Sequence, residues 1–406
     1  MQRKKILFIA EAVTLAHVGR GIALASTLDP ERFDVHFACA NGYDFCFKDS
    51  KFTRWSITSI PSAQFLQALA AGKPVYSEAT LTRYVVEELG LLGAIKPDLI
   101  VGDFRLSLSI SARLARIPYV SLSNAYWSPY VRPHYAVPNI PLTKVLPIHI
   151  ANALFRMVRP MAFASHSLPL NRVRRKFGLP TLGWDVRRVY TDADYTLYMD
   201  VPELFPATAM PDNHAYLGPV IWSTPSAPPA WWYTLPQDRP IVYVTLGSSG
   251  QGLLLPLVLQ ALEALPVTVL AATAGNVKLG KVPANAYVAD YLPGEEAARR
   301  SRLVICNGGS PTSQQALAAG VPVVGIASNL DQFLNMHGVA KAGAGVLLRA
   351  DRFNAARLQK VVCAMLVETR TADAAKLIAQ SFARHDAGAT FQKLLPRMLA
   401  ERSNNN

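Results

Sequence analysis

The sequence predicts an α/β protein of two doubly wound domains, because short apolar runs alternate with helix-like stretches in both halves and a Pro-rich stretch divides them. In the first half, residues 6–10, 33–38, 99–102 and 119–122 read as buried strands, with 196–199 as a later one. In the second half, 241–246, 267–271, 287–288, 303–305, 321–326 and 345–347 do the same. The dividing stretch, 222–240, holds Pro225, Pro228, Pro229, Pro236 and Pro240 and reads as a stiff linker. Residues 1–221 then form the first domain and 241–384 the second. The last stretch, 385–406, reads as a helix that packs back on the first domain. Open parallel sheets take ligands beyond the carboxyl ends of their strands, so two such domains facing each other are expected to enclose a cleft.

A chain of 406 residues, half of them hydrophobic, is long enough for two separate cores. Cys39, Cys46, Cys306 and Cys363 show no metal-ligand or paired spacing and read as reduced cysteines of a cytoplasmic protein. Arg3-Lys4-Lys5 precedes an apolar run, 6–10, that is too short for a signal peptide. The most apolar long window, 253–272, is interrupted by Pro256, Gln260, Glu263 and Pro266, so no membrane span is expected.

The net charge is +13, and its distribution is uneven. From Phe104 to Trp184 there is no acidic residue, while Arg105, Arg113, Arg132, Lys144, Arg156, Arg159, Arg172, Arg175 and Lys176 alternate with aromatic and aliphatic side chains. Basic plus apolar character in one segment predicts a surface, within 104–184, for anionic lipid. No groove-reading motif accompanies the charge, so nucleic acid is not expected as a partner.

The stretch 306–335, CNGGSPTSQQALAAGVPVVGIASNLDQFLN, carries most of the chemistry. A strand, a Gly-Gly turn, a small-polar helix start, a second strand and an Asp-Gln pair follow in order. Such a turn presents backbone N–H groups and a helix dipole to an anion, with side chains for hydroxyl groups close by. A phosphorylated sugar carrier suits both halves.

This stretch resembles the donor signature of the inverting family-1 glycosyltransferases, the UDP-glycosyltransferase-like enzymes of GT-B fold, in which two Rossmann-like domains face each other. ILFIAEAVTLAHVGRGIALASTL is similar to their first strand and the turn entering the first helix, and PDLIVGDFRLSLSISARLARIPYVSLS to a later strand, Asp and helix of the acceptor domain. IVYVTLGSSG and VADYLPGEEAARRSRLVICNGG resemble the opening of the donor domain. The resemblance implies that His17 is the general base for the acceptor hydroxyl and that Asp103 orients it. It assigns the diphosphate to Ser248, Asn307, Gly308, Gly309 and Thr312, the base to Tyr291, the ribose to Gln315 and the sugar hydroxyls to Asp331 and Gln332.

Four letters depart from the family pattern: Asn307 where His is common, Gln315 where Glu is, Gly294 where Gln is frequent, and Ala16 where Gly usually precedes the His. Neither metal nor cofactor is implied, only a nucleotide sugar as co-substrate. Asp192-Ala193-Asp194 matches a metal-binding pattern of other transferases but reads as a loop before a strand. The implied reaction is inverting, metal-independent transfer of a hexose, from UDP ahead of dTDP, to a hydroxyl of an apolar acceptor. The alternatives are a GT-B nucleotide-sugar 2-epimerase and a non-catalytic nucleotide-sugar-binding homologue. The expected location is the cytoplasm, in association with a membrane.

Overall fold

The computed structural model describes residues 3–404 except Asp49, 248–250 and Asn276. Seven strands form the first sheet: β1 (Lys4–Ala10), β2 (Phe33–Cys39), β3 (Thr53–Ser56), β4 (Leu99–Asp103), β5 (Tyr119–Ser123), β6 (Tyr195–Tyr198) and β7 (His214–Tyr216). Six form the second: β8 (Ile241–Thr245), β9 (Thr268–Ala272), β10 (Ala286–Ala289), β11 (Leu303–Cys306), β12 (Val323–Ala327) and β13 (Gly345–Arg349). The orders are β3-β2-β1-β4-β5-β6-β7 and β10-β9-β8-β11-β12-β13, and the strands of each sheet pair in parallel.

Both sheets are covered on two faces, which is why their central strands read as unbroken apolar runs. Leu7, Ile9, Ile100, Leu108 and Tyr119 lie in the core of the first sheet. Val242, Val244, Val269, Ile305, Val324 and Leu358 do so in the second. Two strands escape the sequence reading, and both lie at edges of the first sheet. Thr53–Ser56 is half-exposed and polar at its ends, and His214–Tyr216 has only three residues. An edge strand needs one partner and one covered face, so its sequence carries no strong apolar pattern.

The chain divides into two compact units. One comprises Met1–Arg132, Leu154–Val220 and His385–Asn406, the other Pro133–Ala153 and Ile221–Arg384. Residues 133–153, read from sequence as part of the first domain, pack with the second unit. Asn139 N–H donates to the Ser328 carbonyl at 2.8 Å, Arg349 donates to the Val137 carbonyl at 2.7 Å, and Thr143 Oγ1 donates to Asp351 at 2.8 Å. These ties are polar and leave no apolar period in the sequence. The Pro-rich stretch is likewise anchored. Trp232 is buried, with the Arg300 guanidinium 4.5 Å from its ring centre, and Arg300 Nη1 donates to the Trp232 carbonyl.

On β7, the imidazole of His214 lies with Nδ1 2.7 Å from Tyr198 Oη, and burial lowers its pKa from 6.5 to about 4. The folded protein therefore favours the neutral ring. The stability this confers is complete above the unfolded value near 6.5 and is lost as the pH falls through the folded value. His214→Gln should be less stable than the parent at neutral pH, and the difference in melting temperature should shrink between pH 6.5 and 4. A gap that stays constant across that range removes His214 from the acid response.

Candidate active site

In the first sheet the winding direction reverses between β1 and β4, and loops leaving such neighbours part to form a crevice. The chain leaves β1 at Ala10, which is in register with Asp103 at the end of β4, and Glu11 N–H donates to the Asp103 carbonyl at 3.0 Å. It then enters the helix Leu15–Ala25, whose third residue is His17. His17 Nδ1 sits 2.7 Å from Asp103 Oδ1. Arg20, one helical turn on, grips the same carboxylate from the other side, with Nε 3.1 Å from Oδ2 and Nη2 3.0 Å from Oδ1. Its Nη1 reaches Asn124 Oδ1 at 3.0 Å, and Asn124 Nδ2 donates to Asp200 at 3.1 Å.

The donor and acceptor capacities of the neighbours assign the tautomer. Arg20 Nη2 is also 2.9 Å from His17 Nδ1, but an arginine nitrogen only donates. An ionised carboxylate only accepts, so the shorter contact places the proton on Nδ1 and leaves Nε2 with a lone pair. Nε2 has no hydrogen-bond partner among the described residues. Arg20, absent from the sequence reading, was signalled there only by its spacing of three from His17.

Phe104 follows Asp103 with a φ of 56°, a left-handed conformation that costs a non-glycine residue about 1–2 kcal/mol. This turn lays its ring on His17, with centroids 5.0 Å apart and planes 9° from parallel. Phe65, Tyr76 and Tyr190 also pack against the Phe104 ring. Tyr76 and Tyr190 also line an apolar recess with Val75, Leu106, His166 and Leu170. Within that wall the Tyr76 hydroxyl is buried and has no partner among the described residues, so it offers one unmet hydrogen bond to whatever enters.

Beneath the turn lies a buried charge cluster. Arg105 donates to Glu88 at 2.6 Å, to Glu11 at 2.8 Å and to the Thr58 carbonyl at 2.6 Å. Glu88 also accepts from Ser107 and Ser111, and Glu11 from Tyr84. Burial raises the Glu11 carboxyl above its usual range, an effect that Arg105 opposes. The cluster ties the residues after β1 and β4 to each other and to the helix Glu78–Ile95, holding Asp103 and Phe104 in place.

In the second sheet the reversal lies between β8 and β11, and the Gly-Gly turn follows β11 there. Gly308 has a φ of +80°, and a Cβ on it would meet Met336 Cγ at 2.6 Å, so no other residue fits without displacement. Asn335, missed from sequence, donates to the Gly308 carbonyl and to Ser313 Oγ, each at 2.8 Å, locking the turn to two helices. The helix Ser310–Ala318 begins at Gly309 without a side-chain cap, and Thr312, half-buried, lies in its first turn. Two of the expected backbone donors are already engaged. Gly309 N–H donates to Asn307 Oδ1 at 3.0 Å, and Gly308 N–H points to Cys306 Sγ at 3.3 Å.

Gln315 is turned toward backbone. Its Nε2 donates to the Trp222 carbonyl at 2.5 Å and lies 3.2 Å from Ser223 Oγ. A Cβ on Gly294 would meet Gln315 Oε1 at 2.8 Å. The two departures noted in the sequence thus fit one another: the small residue makes room for the amide, and the amide supplies a donor that a glutamate lacks.

Gln332 is 1% exposed, and its Oε1 accepts from Ser328 N–H at 2.8 Å and Ser328 Oγ at 3.0 Å as half of a capping box with Asn329. It is a helix cap here, while Asp331 beside it is only half-buried. Tyr291 presents a 40% exposed ring, its hydroxyl donating to the Ala274 carbonyl at 3.2 Å. Ser248 lies outside the described residues. Asp192 is held by Arg113 and Arg174, and Asp194 accepts from Tyr119 N–H, so that acidic pair is engaged in structure.

Comparison with known proteins agrees with this layout. Residues 257–393 match the family described as erythromycin biosynthesis protein CIII-like, C-terminal domain. A PGL/p-HBAD biosynthesis glycosyltransferase of Mycobacterium tuberculosis strain H37Ra is 52% identical over 387 residues, covering 95% of this chain and 90% of its own. A PGL/p-HBAD biosynthesis rhamnosyltransferase of Mycobacterium bovis strain BCG is 53% identical over 387 residues, covering 95% of this chain and 86% of its own. Among solved structures, the spinosyn forosaminyltransferase SpnP superposes with a TM-score of 0.71 at 18% identity over 98% of this chain and 100% of that one, a likeness of fold. With two Rossmann-like domains of the GT-B kind and relatives of this identity and coverage, the chain belongs to the family-1 glycosyltransferases.

Proposed function

We propose that the protein transfers a 6-deoxyhexose, with inversion and without a metal, from a nucleoside diphosphate to a hydroxyl of an apolar aromatic acceptor of the PGL/p-HBAD class. The observation that carries this reading is the His17–Asp103 hydrogen bond of 2.7 Å, which leaves Nε2 as the basic nitrogen beside an aromatic wall. As the acceptor oxygen bonds to the anomeric carbon, Nε2 takes its proton and the bond from that carbon to the diphosphate breaks. Asp103 balances the imidazolium as it forms, and Arg20 keeps the carboxylate in line. The N-terminus of the helix Ser310–Ala318, with Thr312, stabilises the departing diphosphate. Tyr291 stacks on the base and Asp331 accepts from sugar hydroxyls. The Tyr76 hydroxyl meets a polar atom of the acceptor.

The name of the 53% identical rhamnosyltransferase supports a 6-deoxyhexose. For the carrier, the sequence reading ranked UDP ahead of dTDP, and the engagement of Gln315 with Trp222 favours the reverse. A ribose offers two hydroxyls to an acceptor side chain, a 2′-deoxyribose only one. A site without a carboxylate at that position suits the latter.

His17→Ala should lower transfer from dTDP-rhamnose to a phenolic acceptor by ~10²–10⁴-fold while leaving the Kd for dTDP within about twofold. Transfer at the parent rate would take His17 out of the mechanism. Calorimetry of the parent should give a lower Kd for dTDP than for UDP. Gln315→Glu should shift that ratio toward UDP and cost about 1–3 kcal/mol of stability through the lost donor to Trp222. Tighter binding of UDP by the parent would overturn the carrier assignment.

A further inference from the structure

The helix Ile148–Lys176 carries two apolar stripes, and only one of them is buried. Phe155, Phe163, Ser167, Leu170 and Arg174 face the interior. Ile150, Leu154, Met157, Val158 and Met161 recur at spacings of four, three, one and three, which places them on one opposite face. All five are exposed, Met157 to 78% and Met161 to 74%. The same face continues at the helix end as Arg172, Arg175 and Lys176, all exposed, with no ion-pair partner among the described residues. An isolated apolar ridge of this kind costs solubility unless something covers it, and the choice of partner follows from the charges. A helix whose outer face is apolar along one half and basic at the other end matches a bilayer with anionic headgroups. A second copy of this chain would set its own arginines against these.

We infer that the outer face of Ile148–Lys176 docks on an anionic lipid bilayer, with Met157 and Met161 entering the acyl boundary and Arg172, Arg175 and Lys176 meeting phosphate groups. No helix among the described residues is long and apolar enough to cross a membrane, so the helix lies along the surface. The full chain is tested by co-sedimentation with vesicles of phosphatidylcholine alone and of an equal mixture with phosphatidylglycerol. These vesicles contain neither donor nor acceptor, so the result is separate from the transfer reaction. The parent should partition onto the mixed vesicles, weakly onto the neutral ones, and be released by salt. Replacing Arg172, Arg175 and Lys176 together by Gln should lower partition roughly a hundredfold. The pair Met157→Ser and Met161→Ser should lower it roughly tenfold, with the melting temperature and dTDP affinity unchanged. Parent protein that stays in the supernatant overturns the inference, as do variants that bind like the parent. So does self-association of the parent without vesicles that the two serines abolish.

Discussion

A doubly wound parallel sheet has to change its winding direction somewhere, and the loops at that point cannot close over one another. Each unit of this protein has one such point, between β1 and β4 and between β8 and β11. The candidate site residues gather at these two crevices. Asp103 is the last residue of a strand, His17 lies on the helix that follows the neighbouring strand, and the Gly-Gly turn leaves the equivalent strand of the second sheet. Burial on both faces fixes the sheets, the sheets fix the crevices, and the candidate residues need only occupy the strand ends and the first residues beyond them.

What the crevice leaves open, buried polar groups settle. Arg105, Glu11 and Glu88 are fully buried beneath the turn that carries Asp103 and Phe104. Desolvating three charges is costly, and replacing them by a packed apolar cluster would often be neutral or stabilising. Their value is directional. A guanidinium with fixed geometry admits one arrangement of the loops around it, whereas aliphatic side chains admit several. The positive φ of Phe104 is the strain that this arrangement holds in place, and the stacking of its ring on His17 is the result.

Much of this was legible in the sequence. Eleven of the thirteen strands among the described residues announce themselves as apolar runs, because a strand buried on both faces has little choice of residue. His17, Asp103 and the Gly-Gly turn were legible through resemblance, and their order along the chain brings the first two together. Side-chain direction was not legible. Gln332 reads from resemblance as a sugar-hydroxyl contact, and its burial and its bonds to Ser328, which make it a helix cap as well, do not show in the sequence. Gln315 reads as a weakened glutamate until the Trp222 carbonyl is placed opposite its amide. Arg20 was hidden because an arginine on a helix is commonplace, and the carboxylate it grips is far away in sequence.

The final helix has a consequence for biosynthesis. Phe391 is fully buried, with its ring 6.3 Å from that of Phe8 on the first strand, and Gln392 donates to the Thr27 carbonyl. The first unit therefore lacks part of its covering until residues 385–404 have left the ribosome. The second unit, Ile221–Arg384 together with the earlier segment Pro133–Ala153, has all of its sequence before then. During synthesis the unit that carries the candidate base is begun before the second unit and completed after it, with Phe8 uncovered in the interval.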